Sequence, residues 1–201
     1  MILVEMTTPA DAVLPVAGLR THLRFGSGFE LAATVDEDRA LAGFLRAAMA
    51  TIEGRTGKAL LRRSYRMVLD NWRDDSAQPL PMAPVDVVES VVIESADGSA
   101  DPLPANSWYL VEDMTRPMIR PRSGLLPPVR NGGRIVLRFT AGFADDWSGV
   151  PVDLAQAVMM LAARYYEDRS DDGARHALPM GVSVLIERWR AVRVLAGRGG
   201  R

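Results

Sequence analysis

The spacing of apolar residues changes twice along this chain of 201 residues, and that change limits the folds that the chain can adopt. Up to about residue 60, apolar residues recur three and four positions apart, as they do on one face of an α-helix. Between Leu60 and Phe143 they alternate with polar residues, as in half-buried β-strands, and after Pro151 the helical spacing returns. The sequence therefore predicts an α+β protein in which a β-rich segment is inserted between two helical parts.

Two helices are predicted in the N-terminal part, residues 1–60. The first begins at Pro15, because proline suits the first helical position, and it ends near Arg24, before a Gly-Ser-Gly run. The second begins at Asp36, a good N-cap, and it ends before Gly57, because glycine commonly follows the last residue of a helix. Its apolar stripe consists of Leu41, Phe44, Leu45, Ala48 and Ile52.

Five or six strands are predicted in the inserted segment, residues 61–145. Asp97-Gly98 and Asn131-Gly132-Gly133 mark tight turns, because glycine readily adopts the positive φ that such turns require. The proline-rich run of residues 79–84 predicts a connector without regular structure. The predicted strand regions are residues 65–69, 85–93, 108–111, 118–120 and 135–139.

Two further helices are predicted in residues 150–196, which gives a mainly helical core of about four helices. The third begins after Pro151 and ends near Arg169, and the fourth runs from about Val182 to Leu195. Residues 197–201 contain nothing to bury and are predicted to form a flexible tail. No apolar stretch approaches the roughly 20 residues that a membrane span needs, so we expect no membrane partner.

Residue types that carry out chemistry are scarce in this sequence. There is no cysteine and there are only two histidines, and no set of His, Asp and Glu has metal-ligand spacing. Gly54-Arg-Thr-Gly57-Lys58 is not a phosphate loop, because that motif needs four residues between its glycines and Ser or Thr after its lysine. Paired carboxylates at residues 74–75, 145–146 and 171–172 lie in loop-like contexts. We expect no catalytic residue, cofactor or metal; an enzyme using these carboxylates is a minor alternative.

The formal net charge of -1 hides alternating blocks of opposite sign. Residues 55–66 contain five basic residues and no acid, residues 70–113 contain ten acids and one base, and residues 116–138 contain six arginines and no acid. These blocks are either solvated surfaces of different elements or complementary faces that join identical copies head to tail. A small net charge argues against a dedicated nucleic-acid binder, although a DNA-binding packaging or regulatory protein stays the main alternative function.

The C-terminal segment, residues 175–201, contains six arginines and one acid, Glu187. Tryptophan and arginine are favoured anchors of protein interfaces, which makes this segment a candidate docking element. The other interpretation is a final amphipathic helix that packs its tryptophan into the protein's own core. The candidate interface residues are Trp189, Arg188, Arg190, Arg193, Arg198 and Arg201.

Three stretches of the sequence resemble the head-tail connector, or adaptor, proteins of long-tailed bacteriophages and gene transfer agents. Each motif is weak alone, but their order and spacing across most of residues 15–195 are fairly specific. The first comprises residues 22–24 and 36–60, ending in Glu53-Gly-Arg-Thr-Gly57-Lys-Ala-Leu60; the second is Pro81-Met-Ala-Pro84 followed by Val85-Asp-Val-Val-Glu-Ser-Val-Val-Ile93 and the Asp97-Gly98 turn. The third comprises Arg138-Phe-Thr-Ala-Gly142, Val150-Pro-Val-Asp-Leu154, Ala163-Arg-Tyr-Tyr-Glu-Asp-Arg169 and Leu178-Pro-Met-Gly181.

The resemblance implies a non-enzymatic structural protein of a virion or phage-like particle, assembled in the bacterial cytoplasm. Proteins of this kind form a dodecameric ring in the head-tail neck, beneath the portal protein and above a stopper or tail component. The ring extends the DNA channel, through which DNA passes without specific contacts. By the same resemblance, the last helix and tail reach toward the portal, with Trp189, Arg190 and Arg193 at the matching positions. We expect an acidic or mixed face to line the channel, since each phosphate contact would slow the DNA.

Overall fold

The computed structural model of the chain describes residues 1–23, 35–168 and 178–190. The helices are α1 (Val16–His22), α2 (Val35–Thr56), α3 (Val152–Glu167) and α4 (Met180–Ile186), and short 3-10 turns cover Asp11–Val13, Trp147–Gly149 and Glu187–Trp189. The strands are β1 (Ile2–Glu5), β2 (Arg63–Leu69), β3 (Gln78–Pro79), β4 (Val85–Glu94), β5 (Ala100–Pro102), β6 (Trp108–Val111), β7 (Met118–Pro121) and β8 (Arg134–Ala141). The predicted α+β class is confirmed.

The strands form two antiparallel sheets. The larger sheet has the order β1-β2-β8-β4-β5, and the smaller has the order β3-β7-β6. Seven strands lie between α2 and α3, a stretch that is described throughout, rather than the five or six predicted. The difference arises because β3 and β5 contain only two and three residues, too few for an alternating pattern to be recognised.

Both predicted turns are present: the Asp97-Gly98 turn joins β4 to β5, and the turn at residues 131–133 precedes β8. The β4–β5 turn is closed by a hydrogen bond from Ser95 N to Ser99 O of 2.8 Å, and Gly98 within it has a φ of 86°. The second turn leads into β8 and is closed by a bond of 2.9 Å from Gly133 N to Arg130 O. The alternating residues of β8 then bury one face of the central strand.

Strand β1 was not predicted, and the assignment of residues 1–60 to helices alone is therefore wrong at residues 2–5. β1 forms one edge of the larger sheet, where Ile2 pairs with Val68 and Glu5 pairs with Tyr65. A strand of four residues has too short a pattern to be recognised locally. Its stability comes from pairing with β2, about 60 residues away along the chain.

Buried apolar residues form two clusters, so the predicted helical core of about four helices is accompanied by a second core in the β-rich segment. One cluster lies among the helices and includes Leu19, Leu45, Ile52, Leu154, Leu161 and Ile186. The other lies between the two sheets and includes Tyr65, Met67, Trp108, Ile119, Leu137 and Phe139. Each fully buried side chain of this size contributes about 1.5–3 kcal/mol, so both clusters stabilise the fold substantially.

The predicted fourth helix over residues 182–195 is too long. α4 ends at Ile186, a single 3-10 turn follows, and Arg190 already has an extended backbone with φ -69° and ψ 133°. Tertiary contacts of Trp189, described below, accompany this early end. Residues 191–201, including the predicted flexible tail, lie outside the described residues.

A buried ion-pair network joins the helical layer to the larger sheet. The Glu53 carboxylate, on the last turn of α2, accepts hydrogen bonds from Leu60 N at 2.8 Å and from the Arg63 guanidinium at the start of β2. The same guanidinium pairs with Glu5 of β1 at 3.0 Å. Burial alone would lower the pKa of Arg63, but the hydrogen bond and the charge of Glu53 outweigh burial and raise it. Arg63 therefore remains charged and links three elements.

Two glycines allow the chain to pass through this junction. Gly57 ends α2 in the left-handed conformation, with φ 67°, and its N–H donates to Glu53 O at 2.7 Å. Gly142, after β8, has φ 144°, and a Cβ there would lie 2.4 Å from Arg62 Cα. Only glycine fits such a close approach, so the end of β8 can lie against the connection from α2 to β2.

We predict that Glu53→Ala lowers the free energy of unfolding by about 3 kcal/mol, because removal of one partner leaves a buried charge poorly compensated. Urea unfolding followed by circular dichroism measures the change. The control is Asp36→Asn, whose 92% exposed side chain pairs with Arg39 at 3.6 Å and should contribute less than about 0.5 kcal/mol. Equal effects of the two substitutions would contradict a linking role for Glu53.

Candidate assembly interface

The C-terminal segment that the sequence singled out, residues 178–190 of the described chain, packs on α3. Val182 and Ile186 of α4 are buried in the helical cluster. Gly181 lies so close to α3 that a Cβ there would be 2.8 Å from the Met160 Cε. This first part of the segment is therefore an integral part of the fold.

Trp189 contacts the body of its own chain. Its indole Nε1 donates a hydrogen bond of 2.7 Å to the Asp153 Oδ2, and its ring stands edge-on against Phe143 with 5.3 Å between ring centroids. The side chain is half-buried. Trp189 therefore packs against its own chain, which is the second of the two interpretations drawn from the sequence. Only the exposed part of its ring is available to a partner protein.

Arg188 and Arg190 present their guanidinium groups to solvent beside Trp189. Arg188 Nε lies 2.6 Å from the Asp153 Oδ2, its guanidinium lies 4.7 Å from the Trp189 ring centroid, and its side chain is 69% exposed. Arg190 is exposed and pairs with Glu187 at 3.2 Å. The structure therefore brings three of the six candidate residues together; Arg193, Arg198 and Arg201 lie outside the described residues.

Asp153, in the first turn of α3, holds this cluster in place. Burial would raise its pKa, but hydrogen bonds from Trp189, Arg188 and Leu154 N outweigh burial and lower the pKa below its ordinary value. The helix dipole also favours an anion at this position. A local sequence pattern can indicate only that favourable position. The two side-chain partners of Asp153, Arg188 and Trp189, lie 35 and 36 residues further along the chain, so no local pattern could reveal them.

Exposed apolar side chains surround the same segment. Met180 is 84% exposed and Val184 is 69% exposed, and their spacing of four residues places them on one face of α4. Val152, next to Asp153 at the start of α3, is 85% exposed. Met180 and Val184 therefore give α4 an exposed apolar face next to the arginines of the same segment.

Two of the three carboxylate pairs noted in the sequence lie within the described residues, and there they form hydrogen bonds and ion pairs that stabilise loops. Asp145 pairs with Arg62 at 2.9 Å, Asp146 accepts from Ser148 N at 2.8 Å, and Asp74 accepts from Ser76 N at 2.9 Å. The pair at residues 171–172 lies outside the described residues. Across residues 1–23, 35–168 and 178–190, no three His, Cys, Asp or Glu side chains are placed to hold a metal ion. Within the same ranges, every helix is too short or too polar to span a lipid bilayer.

We predict that Asp153→Asn loosens residues 187–190 and lowers the free energy of unfolding by about 1–2 kcal/mol at neutral pH, because two charge-assisted hydrogen bonds are weakened. Hydrogen exchange of peptides covering residues 178–190 measures the loosening. Because the folded pKa of Asp153 is lowered, its contribution is present above the unfolded value of about 3.9 and is lost as the pH falls through the folded value.

The difference between wild type and Asp153→Asn should therefore shrink when exchange is measured at increasingly acidic pH. The matched control is Asp145→Asn, which removes a 77% exposed carboxylate from the loop before α3. This control should leave the exchange of residues 178–190 unchanged. Unchanged exchange in Asp153→Asn at neutral pH would show that Asp153 does not hold the segment.

Comparison with known proteins gives a match among solved structures only. No family model matches the chain, and no curated protein matches it. A chain in the neck of an empty gene transfer agent particle, computed with C6 symmetry, is 52% identical, with a TM-score of 0.88 over 98% of this chain and 100% of that chain.

Two further structures agree with this match. A chain in the virion of a native gene transfer agent particle is 52% identical, with a TM-score of 0.85, and one in the neck of a native particle computed with C12 symmetry is 48% identical, with a TM-score of 0.83. Both matches cover 98% of this chain and 100% of the other. Identity of this extent over nearly the full length means that the chain belongs to a family of gene transfer agent neck proteins.

Proposed function

We propose that this chain is a structural subunit of the head-tail neck of a gene transfer agent or related phage-like particle, where identical copies form a ring. The observation that carries the proposal is the 52% identity, over the full length of the other chain, to a chain in a neck structure. Neck structures computed with C6 and C12 symmetry support several copies around one axis, and twelve copies is the number we propose.

Within the neck, the proposed role is that of an adaptor. The ring would bind the portal protein above, extend the DNA channel and carry the stopper or tail component below. The C-terminal segment supports a docking role, because it combines exposed Met180 and Val184 with the solvent-facing guanidinium groups of Arg188 and Arg190. Residues 191–201 continue from this exposed end of the described chain and add three more arginines.

The alternative, a DNA-binding packaging or regulatory protein, would need a continuous basic face. Several arginines of the basic blocks are instead paired with acids of the same chain. Arg62 pairs with Asp145 at 2.9 Å, Arg63 with Glu5 at 3.0 Å, and Arg134 with Glu94 at 2.5 Å. Such pairing reduces the charge available to phosphates. Retention of the purified chain on heparin at physiological salt would favour the alternative.

We predict that deletion of residues 191–201 abolishes attachment to the portal without unfolding the chain. Every buried residue of the described core is retained in this variant, so its urea midpoint should equal that of the full chain. Deletion from residue 182 onward is a poorer test, because it also removes Val182 and Ile186 from the helical cluster. Electron microscopy of particles from a strain that carries only the variant measures attachment as the fraction of heads joined to tails.

A second variant separates charge from chain length. Replacing Arg193, Arg198 and Arg201 together by glutamine keeps the segment but removes three positive charges. We expect attachment to fall by about tenfold or more, because a loss of about 1.4 kcal/mol over the three contacts together already corresponds to a factor of ten. Normal attachment of both variants would reject the C-terminal segment as the portal-binding element.

A further inference from the structure

A cleft of about 290 Å³ at the small sheet is surrounded by three arginines, Arg73, Arg116 and Arg120. Arg116 lies in the β6–β7 connection and Arg120 lies on β7. Arg73, the only base within the acidic block of residues 70–113, joins them because β3 pairs with β7 through Gln78 and Ile119. The fold thus gathers three cations from two separate parts of the sequence.

These three guanidinium groups have no acidic partner in the described parts of the chain. No ion pair within 4.0 Å involves Arg73, Arg116 or Arg120, whereas Arg20, Arg46, Arg62, Arg63 and Arg134 all have one. All three side chains are exposed. Because all three line the cleft, an anionic group that enters it can form charge-assisted hydrogen bonds with them.

The floor of the cleft indicates which kind of anion fits. Ala77, Pro79 and Met118 line it and give it an apolar base below the charged rim. Asp74 lies on one wall, where its Oδ1 accepts from the Ser76 hydroxyl at 2.7 Å. A protein segment that carries small apolar and acidic side chains can use both the floor and the rim. A DNA duplex offers mainly phosphates and sugars to such a surface, so a protein segment fits better.

The same chain carries a segment with that composition at the β4–β5 turn. Ala96, Asp97, Ala100 and Asp101 are all exposed at or beside the tip of this turn. Asp97 accepts hydrogen bonds from Ser99 N at 2.9 Å and from the Ser99 hydroxyl at 2.7 Å, which lower its pKa and keep it ionised. Asp101 has no ion pair within the described ranges. A closed ring of identical copies needs two complementary surfaces on every chain, and the cleft and the turn satisfy that requirement.

We propose that the arginine cleft of one copy receives Asp97 and Asp101 from the β4–β5 turn of the neighbouring copy in the ring. This inference rests on the proposed ring and specifies its subunit contact. The contact supplies register between neighbours, because each carboxylate can pair with a guanidinium fork only in the correct alignment.

Charge reversal with rescue tests the contact in particles. Arg116→Glu with Arg120→Glu, and separately Asp97→Arg with Asp101→Arg, should each reduce the fraction of tailed particles about tenfold or more, because like charges would then face each other. Asp101→Arg alone is the second acidic variant, since it leaves the Asp97–Ser99 turn intact. The combined four-residue reversal should restore tailed particles to within about threefold of wild type, since 0.7 kcal/mol corresponds to about that factor.

The control is Arg39→Glu with Arg164→Glu, which makes the same change in charge at exposed positions on α2 and α3. These side chains are 76% and 52% exposed and lie in the helical layer, so this variant should assemble normally. Circular dichroism and urea unfolding confirm that each variant folds.

Normal assembly of the Arg116/Arg120 variant would overturn the proposal. A folded four-residue variant that does not assemble would also reject the β4–β5 turn as the partner. If, in addition, the Arg116/Arg120 variant loses binding to a 20-base-pair duplex that wild type binds, the cleft serves nucleic-acid phosphate instead. If a neck reconstruction of wild-type particles lacks this chain, the proposed ring itself is rejected. If the ring is present and every charge-reversal variant still assembles, only the proposed contact is rejected.

Discussion

The ion pair between Glu53 and Arg63 is the interaction on which the arrangement of the two layers depends. Glu53 belongs to the helical layer and Arg63 to the sheet layer, and their side chains are only 10% and 8% exposed. Burying both charges costs free energy, so the pair contributes more to specificity than to stability, and it holds only if each group keeps its partners. Here Leu60 N donates a hydrogen bond to Glu53, and Glu5 pairs with Arg63. These contacts fix the positions of three elements: the end of α2, the start of β2 and the edge strand β1.

This junction has consequences for the surfaces proposed to be functional. Because α2 and α3 pack together in the helical cluster, fixing α2 also fixes the base on which α4 rests. Through β2, the same junction positions the larger sheet, whose β4–β5 turn lies at the opposite edge from β1. The two proposed contacts therefore lie on different layers. In the proposed assembly, the helical layer would present the C-terminal segment toward the portal, and the two sheets would present the cleft and the turn toward neighbouring copies.

Local patterns predicted the long elements of the fold well. The apolar stripe of α2, its end at Gly57, the alternation of β8 and the glycine turns all follow from interactions within a few residues of one another. The β1 strand, the end of α4 and the hydrogen bond from Trp189 to Asp153 depend on contacts between distant residues, and no local pattern encodes them. The arginine cleft shows the same division. Arg116 and Arg120 belong to a basic block that can be recognised in the sequence, whereas Arg73 joins them only through the pairing of β3 with β7.

A structural role accounts for the way this chain uses its charged residues. Glu53, Arg63 and Asp153 hold elements of the fold together, whereas Arg73, Arg116 and Arg120 remain exposed and without ion pairs among the described residues. Charged groups that are unmatched within one copy become useful when copies meet, because they define which surfaces fit. The chain's small net charge is consistent with self-complementary faces of opposite sign.

The most direct test is a reconstruction by electron cryomicroscopy, without imposed symmetry, of the neck of particles produced with this chain. The account predicts density for repeated copies around the particle axis, each with its helical and sheet layers in the orientation fixed by the Glu53–Arg63 junction. A neck that lacks this chain, or that contains it as a single copy away from the axis, would contradict the account.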